Sequence, residues 1–173
     1  KSEVTGYDCF HLIQNENDLE LWFGETKFYQ DGTSAVDSVF NNITKAISND
    51  YLIETNFSTI LQSKGNIQDK DSTIYKILDK WEKSLIPNLV DELNNNNIKL
   101  VYPILITYDQ HKDGYNDSIN EIITHINTKY NTTSFPNIGI DYSIFFILLP
   151  ISDVKQCKKQ IIEWIDSKEP LMS

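Results

Sequence analysis

The sequence predicts an α/β fold, a mixed central β-sheet flanked by helices, on three observations. Two aromatic-rich runs near the N-terminus, "GYDCFHLI" (6–13) and "LELWFGETKFY" (19–29), have the composition of strands. Two later runs, "IKLVYPILITYD" (98–109) and "DYSIFFILLP" (141–150), read as buried strands. Stretches with apolar residues at helical spacing separate them. Strands alternating with helices of about ten residues or more imply a sheet with helices packed on it.

The elements follow in order. Polar "QNEND" (14–18) between the first two runs reads as a hairpin turn. "DGTSAVDSVFNNITKAI" opens with turn chemistry and a Ser34 cap, and Val36, Val39, Phe40, Ile43 and Ile47 then share one helical face. "YLIETNFSTIL" is ambiguous and leaves a further helical turn or two open, and "QSKGNIQDKD" is a loop. From Ser72 a second amphipathic helix carries Ile74, Ile77, Leu78, Trp81 and Leu85 on one face, and Pro87 breaks it. A short helical segment from Asn88 ends in the four-Asn run 94–97, a turn signal. After the 98–109 strand, a third helix uses Ile119, Ile122, Ile123, Ile126 and Tyr130. After the 141–150 strand, a last helix begins near Ser152 and uses Val154, Cys157, Ile161 and Ile165. No internal repeat or linker is visible, so residues 1–173 read as one domain.

Composition narrows the function classes. The 173 residues are 40% hydrophobic and 12% aromatic, enough for one α/β core and short for two. No run of about 18 apolar residues exists, so no membrane helix is expected. The start, "KSEVTGYDCF", shows neither a signal pattern nor an initiator Met, so a missing N-terminal part is expected. Cys9 and Cys157 lack zinc-site spacing and read as free thiols in a reducing cytosol. The richness in Asn, Ile and Lys fits a low-GC bacterial coding bias, and with the free thiols the expected location is the bacterial cytoplasm. Net charge is −10 and no arginine occurs, whereas a chain that holds nucleic acid unaided usually shows a basic face. Any nucleic-acid chemistry would therefore need a local Lys cluster, a divalent metal, or a partner that carries the strand.

Chemistry concentrates in the hairpin. If its turn is symmetric about residues 16 and 17, Asp8 sits opposite Glu25, Phe10 opposite Phe23 and Leu12 opposite Leu21. Opposed residues share a face and side chains alternate, so Asp8, Glu25 and Lys27 would cluster at one end of a face otherwise apolar. Two carboxylates about 5 Å apart at Cβ repel unless a cation lies between them. A hard divalent ion resolves that conflict, because it takes oxygen ligands and keeps waters. The neighbouring lysine could then orient an activated water and balance charge developing on a phosphoryl group. The plainer reading is a solvated hairpin whose Glu–Lys pair is worth at most about 1 kcal/mol. E-x-K alone arises by chance in a chain of this length. Its combination with Asp8 on an apolar face is what favours the first reading.

The pattern D-x(16)-E-x-K across a hairpin, followed by a helix, resembles the PD-(D/E)XK, restriction-endonuclease-like nuclease superfamily. More narrowly, "GYDCF…LWFGETKFYQDGTSAV", "PILITYD" and "FFILLPISDV" resemble the HamA family, nuclease-like subunits of the Hachiman bacterial anti-phage system. The resemblance covers most of the chain in order, with motif detail in the first 40 residues. It implies a restriction-endonuclease-like core and a Mg2+- or Mn2+-dependent endonuclease that cuts DNA beside a HamB-like helicase subunit. It also implies Asp8 and Glu25 as metal ligands and Lys27 as the catalytic lysine. The superfamily often adds an acidic residue from a helix before the first strand; almost nothing precedes Thr5 here, so that position is not assigned.

Gln30 and Asp109 are further candidates. Gln30 follows the lysine by three residues; Asp109, with His111, ends the strong strand, where open α/β sheets tend to place sites. A polar loop or turn explains all three as well. His11 points away from the carboxylate face by alternation, and His125 falls on a helix flank. No G-x-x-x-x-G-K-[ST] occurs, so the chain is not expected to hydrolyse ATP itself. Lys64, Lys70, Lys76, Lys80 and Lys83 form either a basic strip or, with the interspersed acids, a solvated face. The rival to the nuclease is a non-catalytic interaction module with an incidental E-x-K. A nuclease acting on RNA would share the same site.

Overall fold

The hairpin forms in the register that a turn symmetric about residues 16 and 17 requires. β1 (Cys9–Asn15) pairs antiparallel with β2 (Asp18–Tyr29), with Asn15 opposite Asp18, Leu12 opposite Leu21 and Phe10 opposite Phe23. The computed structural model describes residues 9–15, 18–48, 60–62, 64–84 and 89–167. Asp8 lies outside them, as do Leu85, Pro87 and most of the ambiguous 51–61 stretch, whose last two residues are helical.

Then come α1 (Gly32–Ala46), a 3-10 turn at Lys64–Asn66, α2 (Thr73–Glu82) and α3 (Leu89–Asn95). β3 (Ile98–Asp109), a 3-10 turn at Lys112–Gly114, α4 (Tyr115–Thr132), β4 (Tyr142–Ile151) and α5 (Val154–Ser167) complete the order. The four strands form one mixed sheet in the order β1-β2-β3-β4. Backbone bonds from Leu100 to the Asp141 carbonyl and from Gln110 to the Ile151 carbonyl set β3 and β4 parallel. The Asp109 amide donates to the Gln30 carbonyl, so the C-terminal ends of β2 and β3 lie side by side.

The chain divides into two compact units, and the boundary passes within β2 after Glu25, within α1, within β3 after Ile104 and within β4 after Phe145. The first unit spans 1–25, 42–104 and 134–145. Its core is aromatic: Phe23 and Tyr102 stack at 6.0 Å, and Tyr102 meets Tyr142 edge-on at 6.2 Å. Buried Ile77, Leu78 and Trp81 of α2 and Leu89 and Leu93 of α3 add to it. Ser72 caps α2 by accepting from the Tyr75 amide at 3.2 Å. The four-Asn run is a turn as expected: Asn97 takes a left-handed φ of 52°, which Asn tolerates better than most residues.

The second unit spans 26–41, 105–133 and 146–173. Here Ala35, Val36 and Val39 of α1, Ile106 and Tyr108 of β3 and Ile122 of α4 are buried, and Phe40 stacks on Phe146 at 5.8 Å. Gly32 lets α1 begin tightly against its neighbours, because a Cβ there would lie 2.6 Å from Ile122 Cδ1 and 3.0 Å from the Tyr108 ring.

Three expectations change. α1 is capped by Asp31 rather than Ser34: the helix starts at Gly32, and the Asp31 carboxylate accepts from the Ser34 amide at 2.6 Å and the Thr33 hydroxyl at 2.7 Å. β4 is not buried on both faces. Among the described residues it is the last strand of the sheet, and Ser143, Phe145, Ile147 and Leu149 alternate outward, exposed. The apolar rows of α4 and α5 are only partly covered, with Ile122 and Val154 buried while Ile123, Tyr130, Ile161 and Ile165 are exposed.

Candidate functional site

The candidate residues sit on β2 and at the strand ends that follow it. Along one face of β2, Leu21 and Phe23 are fully buried, and the next two positions on that face, Glu25 and Lys27, are half-buried. A strand that packs against the core gives up this face to charge only near its end, where side chains can reach water. Glu25 and Lys27 are two residues apart in an unbroken strand and so project from the same side of it. Both are engaged with neighbours.

Asp8, the proposed partner of Glu25, lies outside the described residues. The hairpin register, however, runs from Asn15 and Asp18 as far as Cys9 and Gly24 without a slip. Among the described residues no group of three or more His, Cys, Asp or Glu side chains is placed to hold a metal. Of the two carboxylates expected to hold a metal, only Glu25 lies among the described residues, at a half-buried position. Mg2+ typically takes one or two carboxylates and fills the rest of its shell with water.

Gln30 and Asp109 are brought together through the backbone, in the second unit. The Asp109 side chain turns to a different task, accepting from the Val154 amide at 2.6 Å and so capping α5. Asp153 helps at the same helix start, accepting from the Gln156 amide at 2.8 Å. His111 precedes the Lys112–Gly114 turn and makes no side-chain cap there. With Asp31 on α1 and Asp109 and Asp153 on α5, carboxylates hold both helix N-termini. Free helix starts attract phosphate, and these are already filled by negative charge.

Hydrogen bonds from Ser34 and then Thr33 hold the Asp31 carboxyl below its usual range. The folded form therefore prefers the ionised acid, and its contribution is present above about pH 4 and fades as pH falls through the lowered value. Asp31→Ala is expected to cost about 1 kcal/mol at pH 7. Chemical denaturation of both proteins at a series of pH values should show that difference shrinking below about pH 4.

Sequence reasoning missed a second cluster in this unit. Asp37 of α1 accepts from Lys129 Nζ at 2.7 Å and pairs with His125 Nε2 at 2.9 Å, both on α4. Lys129 first and His125 second lower the Asp37 carboxyl. Helical spacing puts His125 and Lys129 one turn apart on α4, but nothing in the sequence says which helix faces them. The cluster pins α1 to α4 and agrees with a structural role for His125.

The lysine strip is balanced by acids in the first unit. Lys64 pairs with Asp79 at 2.9 Å and with Glu82, Lys83 pairs with Asp79, and Lys80 lies 3.8 Å from Glu92. Asp79, bonded by Lys83 and Lys64, is held below the ordinary carboxylate range. Three of the five lysines are thus committed to carboxylates, as a solvated face requires.

Residues 1–165 match the HamA family. Comparison with curated proteins and with solved structures returned no match. Among the described residues no helix is long and apolar enough to cross a membrane.

Proposed function

The chain belongs to the HamA family, a component of the Hachiman defence system, and from that premise we propose that it is the system's metal-dependent DNA endonuclease. The observation that carries the proposal is the change along one face of β2, from buried Leu21 and Phe23 to half-buried Glu25 and Lys27. Charge on that face has a cost that a reactive centre explains.

In this reading Glu25 and Asp8 hold Mg2+ or Mn2+, as they do in the PD-(D/E)XK superfamily the pattern resembles. When bound, the metal supplies Lewis-acid activation of the phosphodiester and of an attacking water. Lys27 donates to a non-bridging phosphate oxygen, which gains negative charge as the water adds. It also keeps the attacking water in line. The buried stretch of β2 fixes the backbone beneath both side chains, so their spacing is set before DNA arrives. The Asp109 carboxylate stays with α5, and Gln30 acts as a polar neighbour at the strand end.

A chain of net charge −10 without arginine has little to hold a duplex. Three of the five lysines of the strip pair with carboxylates, and acids cap the starts of α1 and α5. DNA is therefore delivered by a HamB-like helicase subunit in the bacterial cytoplasm. The test is cleavage of plasmid and linear DNA with Mg2+ or Mn2+, with and without that subunit, comparing wild type with Lys27→Ala. Cleavage that needs metal and falls on the order of 100- to 1,000-fold in the variant supports the reading. Equal background in both proteins under every partner condition would leave a non-catalytic interaction module.

A further inference from the structure

We infer that α5 is the contact helix of a symmetric homodimer, packing antiparallel against α5 of a second copy of this chain. α5 is amphipathic, with Val154, Cys157, Ile161, Ile162, Trp164 and Ile165 falling on one side at 100° per residue. Of its residues only Val154 is buried, while Ile162 is 48% and Ile165 59% exposed. An amphipathic helix that leaves its apolar side in water is missing a partner.

The charges say what that partner looks like. Lys155 and Asp166 flank the same edge of the apolar side, and Lys158 lies just inside that edge between Ile162 and Ile165; the lysines are near the helix start and the acid near its end. Lys159 and Glu163 lie on the outer side and pair with each other at 3.6 Å, both exposed. Lysines near a helix N-terminus and an acid near its C-terminus oppose the helix dipole, so the pattern does not stabilise α5 by itself. A two-fold axis perpendicular to an antiparallel helix pair brings like edges together. It places Lys155 and Lys158 of each copy beside Asp166 of the other, and the two dipoles run in opposite directions. Parallel pairing would instead set this edge against Gln156 and Gln160, which are uncharged. The second copy thus supplies both the missing apolar cover and the missing countercharge. Repulsion between two chains of net charge −10 is confined by salt to about 8 Å at physiological ionic strength.

A contact of one 14-residue helix per copy is small, so association in the range of about 10–100 μM is expected. Sedimentation equilibrium of the full chain in about 0.15 M salt should show the mass rising with concentration from 20.0 kDa toward twice that value. Ile161→Glu should abolish the rise. K155E/K158E should weaken association about tenfold by giving the edge one sign, and D166K should weaken it likewise. The triple variant K155E/K158E/D166K should restore wild-type association, since antiparallel pairing is again complementary. All these positions are exposed, and circular dichroism and thermal midpoints near those of wild type confirm that the variants fold. A wild-type chain that stays monomeric up to about 500 μM overturns the proposal, as does a triple variant no better than K155E/K158E. The first outcome would hand this face to a different protein.

Discussion

Glu25→Gln is expected to abolish metal-dependent DNA cleavage while leaving the protein folded. The substitution keeps the side chain's length and planarity and removes only its charge. A half-buried position that loses a charge without changing shape falls within the small effects of surface substitutions, about 0.5 kcal/mol either way. The proposed metal centre would have no such tolerance. Removing a residue that merely orients a metal ligand typically costs 10- to 100-fold in affinity or activity, and losing the ligand itself exceeds that. A loss of at least about 100-fold is therefore expected, beyond recovery by raising Mg2+ from about 1 to 10 mM. Titration with Mn2+, followed by calorimetry, separates the possible causes. If Glu25 is a ligand, binding weakens together with cleavage. Unchanged Mn2+ binding with lost cleavage would instead place Glu25 on the substrate. Wild-type cleavage by the variant would remove Glu25 from the chemistry.

The hairpin was the most legible part of the chain because its information is local. A polar turn between two aromatic strands has one symmetric pairing, and the observed register keeps it from Asn15 opposite Asp18 to Cys9 opposite Gly24. β3 was equally legible, its twelve residues bounded by the Asn turn and a polar loop. What escaped depended on partners distant in sequence. "DYSIFFILLP" is apolar enough for a strand buried on both faces, and composition cannot reveal that it ends the sheet and leaves Phe145, Ile147 and Leu149 exposed. The carboxylate of Asp109 reads as a site residue from its place at a strand end, yet it caps a helix that begins 45 residues later. The Asp37–His125–Lys129 cluster joins residues 88 positions apart and has no local signature. The Asp31 cap was within reach, since Asp is among the best N-cap residues and the Asp31-Gly32 turn precedes the apolar spacing. Of the candidate site, the sequence showed the spacing of Glu25 and Lys27, and their strand accounts for the shared face.

Phe23→Ala should be the most damaging substitution in this strand, although it lies two residues from the proposed chemistry. Phe23 is 1% exposed and stacks on Tyr102, itself held edge-on by Tyr142. Truncation removes its apolar surface from the core and leaves a cavity beneath a strand whose backbone is tied on both sides. The cost is expected at about 3–5 kcal/mol, of which the lost aromatic stacking accounts for roughly 1. Against a total stability on the order of 5–15 kcal/mol, that removes a large share of what keeps the chain folded. Urea unfolding should show a midpoint far below wild type with little change in slope. Ile123→Ala, at a residue 44% exposed on α4, should move the midpoint by less than about 0.5 kcal/mol equivalent. Cleavage by Phe23→Ala, assayed well below its midpoint, should fall as well, because β2 would no longer hold Glu25 and Lys27 at fixed spacing. Phe23→Leu refills most of the cavity and should recover both stability and cleavage in part. Glu25→Gln should differ by losing cleavage at full stability. Comparing the two variants therefore separates the strand as scaffold from the strand as reactive edge.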